Sequence, residues 1–230
     1  IFTRLGLQSK IVLTMTAFLI IFGTVGYFLL EFNNPETMKD LSVPEKLLAS
    51  AFQSVTTRTA GFASVSQSGL TESSRLLGCI LMFVGGSPAG TAGGIKTTTF
   101  AMLVLTIISV LRGHKDTECF GRRVEMDSVR SALTITLITF TCWLAAVAAM
   151  SIFDPQTEFL NLMYEASSAI GTVGLSADLT PHLTRASHVV LMLLMYIGRI
   201  GPLTMALVFA GKSNKSDKFR ELPEKKIMLG

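Results

Sequence analysis

Two short segments, Thr59-Ala60-Gly61 and Thr172-Val173-Gly174, carry chemistry that needs no acid, base or nucleophile. A cation leaving water must be surrounded by oxygen atoms, and extended Thr-x-Gly segments can supply them from backbone carbonyls. Glycine serves there because it turns its carbonyl in conformations that other residues reach only with strain. Alone, each segment is an ordinary turn. An offset of 113 residues aligns the two, however, and the same ungapped offset aligns Met82-Phe83-Val84-Gly85 with Met195-Tyr196-Ile197-Gly198. Ser87-Pro88 and Gly201-Pro202 then match with a slip of one residue. Two motifs at one offset mark an internal repeat whose copies run in the same direction. The candidate ion-binding residues are therefore Arg58, Thr59, Ala60 and Gly61 in the first copy and Gly171, Thr172, Val173 and Gly174 in the second. Neither copy has the second glycine of potassium-channel loops, which implies a shorter filter.

Such segments need apolar elements to hold them, and the composition supplies these. Of 230 residues, 49% are hydrophobic and 16% charged, with a mean hydropathy of +0.52; soluble domains carry roughly 25% charged residues. A soluble enzyme is excluded, and Cys79, Cys119 and Cys142 are too few and scattered for a disulfide scaffold. Crossing a bilayer takes roughly 20 apolar residues. Ile11 to Leu30 and Ser131 to Phe153 meet that requirement, the second stopping at Asp154-Pro155, and Ala186 to Ala210 is a third stretch with Arg199 inside it. Pro44 to Thr57 and Glu158 to Ile170 are too short to cross and semi-polar, as expected of re-entrant half-helices or of surface amphipathic helices. Ser74 to Leu111 is too long for one span: as a single helix it would measure about 57 Å. Its centre, Gly85-Gly86-Ser87-Pro88-Ala89-Gly90-Thr91-Ala92-Gly93-Gly94, breaks helices. It reads as two helical pieces joined by a loop at membrane depth, tolerated only where it is buried in protein or lines a cavity.

The fold class is thus an all-α integral membrane protein with parallel repeats of span, pore helix, filter loop and span, one helix being broken by the glycine loop. The units expected are 1–113 with the loop at 85–99, a cytoplasmic linker at 114–130, a second unit at 131–211 and a tail at 212–230. Thirteen of the twenty Lys and Arg, from Arg4 and Lys10 through Arg112 to Arg130 and Lys212 to Lys226, fall on one side of the membrane in this topology. The positive-inside rule makes that side cytoplasmic, so the net charge of +4 reflects topology and needs no nucleic acid. The chain starts at Ile1 without signal-peptide features, which suggests a piece of a longer or processed protein.

With TTRTAGF, GGSPAGTAGGIKTTT, AIGTVGL and GRIGPLT in place, the chain resembles the Trk/Ktr/HKT superfamily of potassium transporters, and is most similar to the membrane subunit of bacterial Ktr systems. That family has four repeats, and this chain is similar to the third and fourth. The resemblance implies that Gly61 and Gly174 are the filter glycines, that Gly85 to Thr99 is an intramembrane gate loop, and that Arg199 is the basic residue of the last helix near that loop. It implies a homodimer in the bacterial plasma (inner) membrane, multi-pass, with a cytoplasmic C-terminus, assembled on a cytosolic ring of nucleotide-binding regulatory subunits. Potassium is then the substrate, held by backbone carbonyls only, with no covalently bound cofactor. A sodium-permeable relative of the HKT kind is the alternative, and a non-conducting membrane scaffold a further one.

Three basic residues have two readings each. A charge in mid-membrane is costly unless paired or hydrated, so Arg199 acts at the pore or gate, or pairs with Glu165 or loop carbonyls. Arg58 repels a second cation or braces its half-helix. Lys96 bonds loop carbonyls or snorkels to the interface. A nucleotide loop is excluded because Ile95 separates Gly94 from Lys96, and Pro88 argues against a Gly86-xxx-Gly90 helix-dimer motif. The three histidines lack metal spacing, and Ser87 lacks a nucleophile's glycine pattern.

Overall fold

A computed structural model describes residues 5–88, 90–113 and 116–201. Ala89 of the glycine loop, Pro202, the end of the third apolar stretch and the tail at 212–230 lie outside the described residues. The described chain is helical: α1 (Leu7–Glu31), α2 (Val43–Thr56), α3 (Glu72–Phe83), α4 (Thr97–Leu111), α5 (Met126–Phe153), α6 (Phe159–Ile170) and α7 (Arg185–Ile200). α1 and α5 are long and apolar enough to cross a membrane and direct Phe18, Ile21, Leu29 and Leu137 outward. The two half-helices are α2 and α6, and the long apolar stretch is divided into α3 and α4 as its glycines require.

Three details differ from the expectation. Residues 97–99, assigned to the glycine loop, form the first turn of α4. α5 starts five residues earlier than the apolar run at Ser131, so the polar linker is shorter. That linker contains a two-stranded antiparallel hairpin, β1 (Glu118–Cys119) and β2 (Arg122–Arg123). Phe120 and Gly121 turn it at φ 48° and 72°, the dihedral signs of a tight hairpin turn.

Helix starts are chemically marked. Ser42 and Glu45 form a capping box on α2, which also has a proline in its first turn. α3 and α7 start the same way: the hydroxyls of Thr71 and Thr184 accept from the backbone N–H groups of Ser74 and Ser187. Those threonines and serines stand 113 residues apart, as the Thr-x-Gly motifs do. Each threonine is in turn held by an acid from the end of the long helix before it. Glu31, fully buried, accepts from Thr71 N and Oγ1 at 2.9 and 2.8 Å. Asp154 accepts from Thr184 N at 3.1 Å and Oγ1 at 3.0 Å, and from Ser187 Oγ.

Desolvation pushes the Asp154 carboxyl up, but the hydrogen bonds from Ser187 and Thr184, with nearby His188, outweigh it and hold it below the usual range. The charged form therefore contributes stability at neutral pH, which is lost as pH falls through the lowered folded value. Thr184→Ala is expected to destabilise the protein by about 1 kcal/mol. It should also flatten the acid limb of its thermal midpoint in detergent, read between pH 7 and 3. An unchanged pH profile would show that the Asp154–Thr184 hydrogen bonds do not set the acid limb.

α1 packs on α2, α3 and α4, and α5 on α6 and α7, while α3 against α6 and α4 against α5 join the two halves. A buried cluster with Val147, Met150, Leu162, Ile170 and Leu191 fills the second half. Leu19, Tyr27, Leu77 and Leu81 fill the first.

Candidate functional site

Both Thr-x-Gly turns leave a half-helix by reusing its last carbonyls. Ala60 N and Gly61 N donate to Thr56 O at 3.1 and 3.2 Å, and Thr172 N and Val173 N donate to Ala169 O and Ser168 O at 3.0 and 2.9 Å. The C-terminal ends of α2 and α6 thereby lie at the turns, where the helix dipole favours a cation.

The backbone dihedrals repeat as well. Thr59 and Gly61 have φ of 69° and 77°, Thr172 and Gly174 have 50° and 95°, and the residues between them are not at positive φ. Alternation in the sign of φ is the pattern that can turn successive carbonyls toward one side, as a carbonyl filter requires. A β-branched residue at positive φ is an outlier that costs about 1–3 kcal/mol, and such strain collects at functional sites. Here it occurs at both matching threonines. The turns also touch each other. Thr59 Oγ1 donates to Gly171 O at 3.1 Å, and a Cβ on Gly61 would collide with the carbonyl oxygen of Val173.

The glycine loop is fastened to the second turn. Its two ends are drawn together by a parallel bridge between Val84 and Ile95, with Gly85 N donating to Ile95 O at 2.8 Å and Thr97 N to Gly86 O at 3.0 Å. Gly94 N reaches Ile170 O at 3.0 Å, and Gly93 N reaches Thr172 Oγ1 at 3.0 Å.

Three cations hold the loop by its carbonyls. Arg58 Nη2 donates to Gly85 O at 3.3 Å; Lys96 Nζ donates to Ala92 O and to Gly90 O; Arg199 Nη1, in the last turn of α7, donates to Thr91 O. Arg58 thus reaches the loop from the end of its half-helix. Of the two structural partners weighed for Arg199, the loop carbonyl is the one it meets. Glu165 is held by Ser176 Oγ (2.6 Å), Ala177 N (3.1 Å) and Thr180 Oγ1 (2.7 Å). Beside the second turn opens a cavity of about 380 Å³ lined by Glu165, Thr172, Gly174, Thr180 and Arg199. In the second copy the corresponding helix runs further: α7 continues to Ile200, past Tyr196, the counterpart of Phe83 where α3 ends.

Motif reading missed Gln53, Gln67 and Tyr164, a buried polar group between the two halves. No local pattern in the sequence marks them, because the partners stand 14 and 97 residues apart along the chain.

The family model TrkH, described as cation transport protein, matches residues 1–221. The chain belongs to this family. The family consists of membrane transporters, not enzymes. Ktr system potassium uptake protein B of Bacillus subtilis is 37% identical over 229 residues, covering 100% of this chain and 51% of that protein. Potassium/sodium uptake protein NtpJ of Enterococcus hirae is 35% identical over 230 residues, covering 99% of this chain and 51% of that protein. This chain therefore spans about half the length of the curated relatives it matches. The crystal structure of the potassium transporter TrkH from Vibrio parahaemolyticus matches with a TM-score of 0.65 at 18% identity, over 85% of this chain and 43% of that one. That likeness establishes a shared fold.

Proposed function

We propose that this chain is part of a potassium-translocating membrane subunit. In it, the backbone carbonyls of residues 58–61 and 171–174 select the ion, and the loop at 85–96 restricts its flow. The observation that carries this reading is the pair of strained turns with the same φ signs, each following a half-helix and hydrogen-bonded to the other. Two turns supply half of a four-turn ring, and the length of the relatives supports assigning the other half to repeats beyond this sequence. The protein is then multi-pass, with the Arg112 to Arg130 linker and the C-terminus cytoplasmic, in a bacterial plasma membrane. A relative that is named as one component of a Ktr system supports a multi-part assembly, which we take to be a homodimer on a cytosolic nucleotide-binding ring. A second reading, a carrier that also admits sodium, is favoured by the relative named for both ions.

Rubidium and potassium uptake by the complete protein, expressed with its cytosolic partner in bacteria lacking their own uptake systems, tests this. Saturable potassium uptake that equal sodium does not match is the expected result. Equal uptake of both ions would establish the second reading, and no uptake from well-expressed protein would overturn both.

A further inference from the structure

Gln67 lies in the chain returning from the first turn and is buried. Its side-chain amide is fully used. Oε1 accepts from Gln53 Nε2 at 2.7 Å and from the Tyr164 hydroxyl at 2.8 Å. Nε2 donates to Gln53 Oε1 at 3.2 Å and to Val65 O at 2.8 Å. An amide has two donor and two acceptor places, so none is left over. Gln53 belongs to the half-helix of the first turn, whereas Tyr164 belongs to the half-helix of the second. The Tyr164 ring lies in one buried cluster with Val173 and Leu175, on and just beyond the second turn. Room for it comes from Gly78 of α3, where a Cβ would stand 3.0 Å from both Tyr164 Cε2 and Tyr27 Oη.

We infer that Gln67 and Tyr164 are positioning residues that set the separation of the two carbonyl turns and so the ion preference; this rests on the potassium-transport reading above. The ring of Tyr164 supports one turn while its hydroxyl holds the chain returning from the other. Carbonyl selection depends on the spacing of the oxygens and the stiffness that keeps it. The link is therefore a determinant of selectivity that lies outside the filter residues themselves. Removing the hydroxyl still leaves Gln67 Oε1 with one donor, from Gln53, so folding loses little. What is lost is this one tie between the halves. Replacing Gln67 by leucine costs more, because it strands both Gln53 and the Tyr164 hydroxyl in a buried place.

Tyr164→Phe, Gln67→Leu and the double variant, each in the complete protein, test the inference through the ratio of rubidium to sodium uptake. Uptake is normalised to the amount of protein in the membrane. Tyr164→Phe should lower the ratio about threefold and Gln67→Leu about tenfold, the sizes expected for one lost hydrogen bond and for a stranded buried pair. The double variant should be no worse than Gln67→Leu alone, since the hydroxyl then has nothing left to hold. A wild-type ratio in both single variants overturns the inference, and so does a loss of protein with the ratio unchanged, which would assign the network to folding alone. If the unsubstituted protein takes up no potassium, the transport reading fails and this inference fails with it. Uptake that selects potassium in the unsubstituted protein, with the ratio insensitive to both substitutions, removes only the inference.

Discussion

Gly61→Ala in the complete protein is expected to lower the preference for potassium over sodium by at least about tenfold, and Gly174→Ala to lower it less. Both glycines sit at positive φ, 77° and 95°, where an L side chain costs roughly 1–2 kcal/mol. That cost alone is about a factor of ten if the turn relieves it by moving its carbonyls. The two sites differ in the space around them. A Cβ at Gly61 overlaps the carbonyl oxygen of Val173 in the facing turn, whereas a Cβ at Gly174 meets nothing within 4 Å. Alanine at 61 must therefore push the two turns apart or rotate the Val173 peptide, and either change alters the oxygens an ion would meet. Competition between sodium and rubidium, with both variants at equal amounts in the membrane, gives the order directly. Greater damage at Gly174 would refute the steric argument, and wild-type preference in both variants would refute the filter assignment.

The parts that sequence made legible are those with a local cause. Half-helices too short to cross, a run of glycines inside an overlong apolar stretch, and one offset shared by two motifs each follow from a few neighbouring residues, and the helices fall accordingly. The same offset also relates Thr71 to Thr184 and Ser74 to Ser187. Their role as matched caps stayed hidden because isolated Thr and Ser residues are common, and the acids that hold them, Glu31 and Asp154, do not share the spacing. What sequence could not supply is which distant atoms meet. Arg58 finds Gly85 O 27 residues away. Arg199 and Glu165 have opposite charge and line one cavity, yet the hydroxyls of Ser176 and Thr180 already hold the acid. The linker hairpin has two-residue strands, too short for any alternation of polar and apolar residues to register.

Removing Ser87 to Thr91 is expected to raise potassium flux several-fold and leave ion preference intact. On the reading proposed above the barrier lies in this segment, whereas the residues that fasten the loop to the second turn lie outside it. Gly93 and Gly94 bind the second turn, and Val84 with Ile95 closes the neck; the deletion keeps all four. It also joins residues that already lie together, since a Cβ on Gly86 would stand 2.8 Å from Ala92 Cβ. What disappears is the distal part of the loop, with the carbonyls of Gly90 and Thr91 that Lys96 and Arg199 grip. Arg199→Ala releases one of these grips and keeps the loop. A hydrogen bond from a charged donor contributes about 1.5–3 kcal/mol. Its loss should shift the balance between a held and a displaced loop by about tenfold or more, and flux should rise toward that of the deletion without exceeding it. Initial rubidium uptake per membrane protein, measured for wild type, Arg199→Ala and the deletion, orders the three. Flux that falls or stays level in both variants, with preference preserved, would mean the loop supports the second turn and obstructs nothing. If the deletion alone raises flux, the loop is a barrier that Arg199 does not hold in place.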